Sequence, residues 1–235
     1  MIACCVAIVL ALVFQVQGAD EGCTAASGHC QDDSIHCSGS YQSGLCSGAA
    51  NRRCCIPTGS GGSGGCSNVN IVTRSQWGAK AATAHTAMPV PAPEFFIHHT
   101  ETPPCSDRAG CIARVQSIQS YHMGHNGWSD IGYSFLVGED GNVYEGRGWG
   151  YVGAHTEQYN SKGFAASMIG SFDSHVPNDK ALTAVKNLIA CGVQLGKIAG
   201  SYRLYGHRDA GQTSCPGTAL YNLIQTWPHY SHAHP

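Results

Sequence analysis

Charge is what this chain most lacks. Asp, Glu, Lys and Arg make up 12% of its residues, about half of the ~25% usual for globular domains. The net charge is −2 and no basic run occurs anywhere. The electrostatic footprint of a nucleic-acid-binding protein is therefore missing, and no nucleic-acid partner is expected. Internal repeats of useful length are absent. So are long apolar runs beyond residue 16, and no membrane span is expected in the mature protein. The one apolar stretch, residues 3–16, is interrupted only by Gln15 and is too short to span a bilayer in the usual way. It has no basic n-region. Followed by Val16-Gln17-Gly18, it reads as a signal peptide over residues 1–18, cut near Gly18/Ala19, which makes the protein secreted and extracellular.

What is abundant fits that compartment. The chain holds 30 Gly and 13 Cys, a balance suited to a cross-linked secreted protein. Cys4 and Cys5 leave with the signal peptide, so an odd number of cysteines remains. Cys23, Cys30, Cys37, Cys46, Cys54 and Cys55 crowd into a cysteine-rich module, residues 19–57, with few large apolar side chains. Disulfides must supply there the stability a core cannot; their connectivity is open on spacing alone. Residues 58–65 are a flexible Gly/Ser linker, and the main domain is expected over residues 66–235. Within it, Cys105 and Cys111 are near enough to close a small loop before a helix. Cys66 and Cys191 can tie the domain's start to a later helix. Ten cysteines in five bridges and one free thiol, Cys215, is the simplest accounting.

Hydrophobic patterning supplies a coarse architecture for the main domain. Residues 94–99 read as a buried strand, and residues 111–123 as a helix carrying Ile112, Val115 and Ile118 on one side. Residues 133–137 and 141–145 read as two strands joined by the turn Glu139-Asp140-Gly141. Residues 164–169 form another strand. A longer helix starts near Asn178-Asp179 and carries Leu182, Val185, Leu188, Ile189, Leu195 and Ile198 on one side. A strand over residues 202–205 delivers His207, and residues 219–226 close the domain as a helix. This alternation predicts an α/β fold, a central mixed β-sheet flanked by helices, preceded by the small disulfide-rich module.

Three residues from separate segments have the chemistry of a metal site: His98 at a strand end, His207 after a strand, and Cys215 before Pro216-Gly217. Zinc takes imidazole nitrogen and thiolate sulfur in a tetrahedron, and a catalytic site leaves the fourth position open. Bound zinc lowers the pKa of water towards ~7 and polarises a carbonyl. The spacing is not diagnostic by itself, because 13 histidines are present and no CxxC or HExxH pattern occurs. The odd cysteine count strengthens it.

The surrounding motifs are more specific. Phe96-Ile97-His98-His99-Thr100, Asp130-Ile131-Gly132-Tyr133-Ser134-Phe135-Leu136-Val137-Gly138 and Gly141-Asn142-Val143-Tyr144-Glu145-Gly146-Arg147-Gly148-Trp149 are followed by Gly153-Ala154-His155-Thr156. Then come Asn187-Leu188-Ile189-Ala190-Cys191-Gly192-Val193, Gly206-His207-Arg208-Asp209 and Trp227-Pro228-His229. In this order they resemble the peptidoglycan recognition protein family, whose amidase fold is related to that of phage lysozyme-like amidases. The resemblance implies zinc (Zn2+) held by His98, His207 and Cys215, and a family disulfide pattern pairing Cys105 with Cys111 and Cys66 with Cys191. Many binding-only members carry Ser at the Cys215 position, so the resemblance implies a zinc-dependent N-acetylmuramoyl-L-alanine amidase of innate immunity. The alternative is a non-catalytic peptidoglycan-binding recognition or antibacterial protein.

By the same resemblance Tyr133 is the catalytic tyrosine. Thr213 stands where phage relatives carry Lys, as an oxyanion donor without positive charge. His99, Thr100, His122, Tyr133 and His155 match positions that contact muramyl peptide, and Gly127-Trp128 resembles members favouring meso-diaminopimelate stems. The implied partner is bacterial peptidoglycan and its muramyl peptides, diaminopimelate type favoured. Asp209 is expected to orient a ligand or to form a surface salt bridge, and His229, His232 and His234 to lie in a frayed end. The cysteine-rich segment resembles small modules attached to cell-wall-active enzymes; glycan binding, antibacterial action and a structural cap all remain open for it.

Overall fold

In the computed structural model of the chain, the described residues are 20, 22–23, 29–34, 39–57 and 66–235. The expected signal peptide, the Gly/Ser linker and Cys37 lie outside them. The chain divides into two compact units, Met1–Gly62 and Ser63–Pro235, with the division inside the expected linker. In the first unit β1 (His29–Asp32), β2 (Gly39–Gln42) and β3 (Arg52–Pro57) form an antiparallel sheet with β3 in the middle. Sulfur takes the place of a core there: Cys23 is bonded to Cys54 and Cys30 to Cys46, and Cys55 is disulfide-bonded as well.

The second unit is built on a mixed sheet of six strands: β4 (Ile71–Val72), β5 (Ala92–His99), β6 (Phe135–Val137), β7 (Val143–Glu145), β8 (Gly163–Met168) and β9 (Ile198–Gly206), in the order β4-β7-β6-β8-β5-β9. Only β6 and β7 pair antiparallel; β8, β5 and β9 run parallel. Helices α1 (Arg108–Gly124) and α2 (Asp179–Gln194) make the long connections. Asp107 and Asn178 cap them, each accepting the N–H three residues on, from Gly110 and Ala181, which satisfies an otherwise unpaired donor of the first turn. The short α3 (His207–Ala210) and α4 (Thr218–Ile224) follow β9.

Because side chains alternate across a strand, β5 divides its residues between two faces. Phe95 and Ile97 join Ala184, Val185, Leu188 and Ile189 of α2 in the larger core. Phe96 lies on the other face with Tyr159 and Tyr205. On that face α1 covers the β4–β7–β6 side through Val115 and Ile118. Burying a Leu or Ile side chain contributes about 1.5–3 kcal/mol each, so α2 is held by packing. The Cys66–Cys191 bond ties residue 66 to α2, and the Cys105–Cys111 bond closes a small loop at the start of α1.

Two departures from the sequence expectation have a local cause. The strand expected from Tyr133 begins only at Phe135, because the Ser134 hydroxyl, not a backbone carbonyl, accepts the N–H of Ala165. The Tyr133 and Ser134 carbonyls then turn to the N–H groups of Arg147, Gly146 and Gly148. Helix α2 ends at Gln194. Gly196, at φ 65°, takes the left-handed position that stops a helix, so Leu195 is 52% exposed while Ile198 opens β9. The C-terminal end is also tied down rather than frayed: His229 stacks on Tyr202 at 4.3 Å, and the Tyr159 hydroxyl donates to the Pro235 carbonyl.

Candidate functional site

Parallel α/β sheets gather ligand-binding groups beyond the carboxyl ends of their strands, and β5 and β9 do so here. His98 is buried at the end of β5, while His207 begins α3 directly after β9. Cys215 comes back to the same point in a loop that Arg208 closes by donating its backbone N–H to the Cys215 carbonyl. The ligand atoms of His98, His207 and Cys215 all lie within 4.8 Å of one another. His98 Nδ1 is 3.7 Å from Cys215 Sγ. A tetrahedral zinc would hold a nitrogen and a sulfur about 3.6 Å apart, so the donor set fits that ion.

The loop carrying Cys215 is shaped by close approach. Gly217 has φ 90°, and a Cβ there would stand 2.4 Å from the Phe172 carbonyl carbon, so only glycine lets residue 215 reach β5. The thiol sulfur accepts the His99 N–H at 3.4 Å. Thr213 is exposed, and its Oγ1 accepts the Cys215 N–H at 3.1 Å, leaving its own hydrogen free to donate. Asp209 forms no ion pair among the described residues. It accepts from the Gly206 N–H and from the hydroxyls of Tyr221 and Tyr230, which fixes the backbone just before His207.

Burial sets the electrostatics. It lowers His98 well below its usual range, with His207, His155 and His99 adding to the effect. His207 is lowered by burial and by His99. Both rings therefore offer free lone pairs at neutral pH. Burial pushes the Cys215 thiol up to about 12, and a bound dication is what would deprotonate it. Burial, with Cys215, also pushes Tyr133 up to about 12, so its phenol stays a proton donor. The Tyr133 ring lies 5.6 Å from that of His98, beside the candidate metal-ligand cluster, and is partly exposed.

The other expected residues separate into exposed side chains and buried supports. His122 is buried at the end of α1, not a solvated helix histidine: Nδ1 accepts the Gly132 N–H at 3.0 Å, and burial followed by Arg147 lowers it to about 4. Trp128 packs 4.7 Å from the His122 ring with 38% of its surface exposed. Gly127 beside it adopts φ 69° with open space around it. Trp128 and His122 form an aromatic pair, and the His122 ring lies 5.7 Å from that of Tyr133. His99 Nδ1 accepts the Phe172 N–H, and its Nε2 lies 3.9 Å from Glu101. The Thr100 hydroxyl accepts the Gly170 N–H and pairs with Thr102, tying the ends of β5 and β8 together. His155 is buried beside His98, their ring centroids 5.6 Å apart.

Sequence reasoning assigned no chemistry to three residues. Thr156 bridges His98 and His155 through its hydroxyl; its place after His155 was the available signal. Ser167 is the cross-strand neighbour of His98, fully buried, and its hydroxyl faces the Tyr133 phenol. Arg147, half-buried between backbone carbonyls of Ile131 and Val152, puts a positive charge beside His122 and His155.

Comparison with known proteins places this geometry among relatives. The family model described as N-acetylmuramoyl-L-alanine amidase matches residues 90–218. Peptidoglycan-recognition protein SC2 of Drosophila melanogaster is 45% identical over 162 residues, covering 69% of this chain and 88% of that protein. The mouse N-acetylmuramoyl-L-alanine amidase is 42% identical over 165 residues, 68% of this chain but 31% of that longer protein. Among solved structures, the ectodomain complex of peptidoglycan recognition proteins LCa and LCx bound to tracheal cytotoxin matches at TM-score 0.69 and 46% identity, over 70% of this chain and 100% of that one. Peptidoglycan recognition protein-LE, in complex with tracheal cytotoxin (monomeric diaminopimelic acid-type peptidoglycan), matches at TM-score 0.68 and 42% identity, over 70% and 96%.

Proposed function

Because this chain belongs to the family of peptidoglycan-recognition proteins and N-acetylmuramoyl-L-alanine amidases, we propose that it is a secreted zinc-dependent amidase that cuts the lactyl–L-alanine amide of bacterial peptidoglycan. The observation that carries the reading is the convergence of His98, His207 and Cys215, three donors of zinc-binding type with mutual distances suited to one ion. Zinc, when bound, supplies Lewis acidity for activating water and polarising the amide carbonyl.

The chain's own residues do the rest. His98 and His207 present neutral rings, and Cys215 is fixed by the His99 N–H on one side and the Thr213 hydroxyl on the other. Tyr133 keeps its phenol proton and donates it as a hydrogen bond to the amide oxygen as negative charge builds there. The Thr213 hydroxyl supplies a second, weaker donor. Trp128 and His122 flank the stem peptide, giving apolar contact along an otherwise polar groove. His99, buried, holds the Phe172 backbone at the far edge, where Thr100 contacts the peptide. The exposed Gly127-Trp128 pair favours a diaminopimelate stem, a reading supported by the ligand of the LE relative. Disulfides in both units support an oxidising, extracellular location, and among the described residues no helix is long and apolar enough to cross a membrane.

The test pairs metal analysis with product analysis. The purified protein should hold one zinc and release free stem peptide from a diaminopimelate-type muramyl peptide, detected by mass spectrometry. Cys215→Ala should lose both properties. A parent protein that binds the muramyl peptide and zinc but releases no stem peptide would establish the recognition-only reading instead.

A further inference from the structure

Beneath the metal-ligand cluster lies a buried polar chain that the proposed chemistry does not use. The Thr156 Oγ1 is 3.1 Å from His98 Nε2 and 2.9 Å from His155 Nδ1. All three residues are buried, Thr156 almost completely. The Asn160 Oδ1 accepts both the His155 and the Thr156 backbone N–H at 2.8 Å, which fixes the pair. Gly153 makes room for it: a Cβ there would stand 2.2 Å from the His155 ring. The far nitrogen, His155 Nε2, is buried without a close partner, and the group it faces is the Gly163 carbonyl.

A hydroxyl has one hydrogen to donate, and each neutral imidazole has one N–H and one lone pair. With the hydroxyl hydrogen kept within the chain, the run from His155 to His98 has two possible directions. In one, His155 carries its proton on Nε2, Thr156 donates to His155 Nδ1, and His98 donates from Nε2 to Thr156. In the other, every proton is reversed, and His98 carries its hydrogen on Nδ1, the atom facing Cys215. The Gly163 carbonyl selects between them, because a carbonyl only accepts. The first direction points an N–H at it, and the second points a lone pair at its lone pairs.

We propose that His155 and Thr156 form a directional hydrogen-bond relay, set by the Gly163 carbonyl, that holds His98 with its proton on Nε2 and its Nδ1 lone pair ready for a metal ion. This rests on the metal-binding reading above, and it makes His155 a positioning residue rather than a substrate contact. Ligand histidines that donate their second N–H to a fixed acceptor are oriented and made more basic, and loss of such a partner costs roughly 10–100-fold in metal affinity.

Two measurements test it on the full-length protein. In metal-free protein at neutral pH, long-range proton–nitrogen NMR should show His98 and His155 both protonated on Nε2, and Thr156→Ser should keep that pattern. Zinc competition against a chelator should show affinity lowered at least tenfold in Thr156→Val, which keeps the shape but removes the hydroxyl, and within about threefold in Thr156→Ser. A His98 protonated on Nδ1 in the parent protein overturns the relay, even if the valine variant fails to fold. So does a folded Thr156→Val protein with parental zinc affinity. If the parent bound no zinc, the amidase reading would fall, while the NMR pattern would still decide the relay.

Discussion

Acidification should destabilise the second unit through His122, and the size of the effect can be worked out. Its imidazole is buried, accepts the Gly132 N–H on Nδ1, and lies beside the Arg147 guanidinium. Protonation would remove the acceptor and place two cations together. The side chain is accordingly held at about 4 in the folded protein, from an ordinary value of 6.5. Between those values the unfolded chain takes up a proton that the folded chain refuses, so unfolding becomes easier as pH falls. The contribution is fully present above pH 6.5 and is lost on the way down to pH 4. At 1.36 kcal/mol per pH unit, the shift is worth about 2 kcal/mol by pH 5 and about 3 kcal/mol by pH 4. His122→Gln removes the titration and leaves an amide oxygen able to accept from Gly132. Urea denaturation followed by tryptophan fluorescence reports this unit, since Trp77, Trp128, Trp149 and Trp227 all lie in it. Other histidines titrate in both proteins and cancel in the difference. The parent should be the more acid-sensitive by that amount; parallel pH profiles of the two proteins would refute the reasoning.

Two further perturbations separate the roles of other residues. The bond Cys66–Cys191 spans 125 residues and Cys105–Cys111 spans 6, so on chain entropy alone removing the first should cost about 5 kcal/mol and the second about 2 kcal/mol; thermal unfolding of the paired alanine variants measures the order. Gly217→Ala must displace the Phe172 backbone, whose carbonyl accepts the N–H groups of Ala219 and Leu220; it should lower stability by about 1–3 kcal/mol and weaken zinc binding, and unchanged zinc affinity would show that the loop reaches β5 without that close approach.

The fold was legible wherever a local pattern matched a local cause. The apolar run of β5, the helix start at Asn178, and the turn at residues 139–141 each carry their own signal within a few residues. The expectation broke down where a side chain or a backbone torsion replaced the regular pattern. Ser134 offers a hydroxyl in place of a ladder carbonyl, and Gly196 stops a helix whose apolar spacing continues to Ile198. The same boundary runs through the site. His98, His207 and Cys215 were visible because each sits in a distinctive short motif, and residue type alone states the donor atom. Asp209 and His155 are set by partners that their own motifs do not name: Tyr221 and Tyr230 for one, Asn160 and the Gly163 carbonyl for the other. Which way a hydrogen bond points depends on the last group in the chain of donors and acceptors, and here that group is a backbone carbonyl, present at every residue. A motif can therefore name a ligand histidine, but only the folded arrangement around Thr156 can decide which of its nitrogens is free.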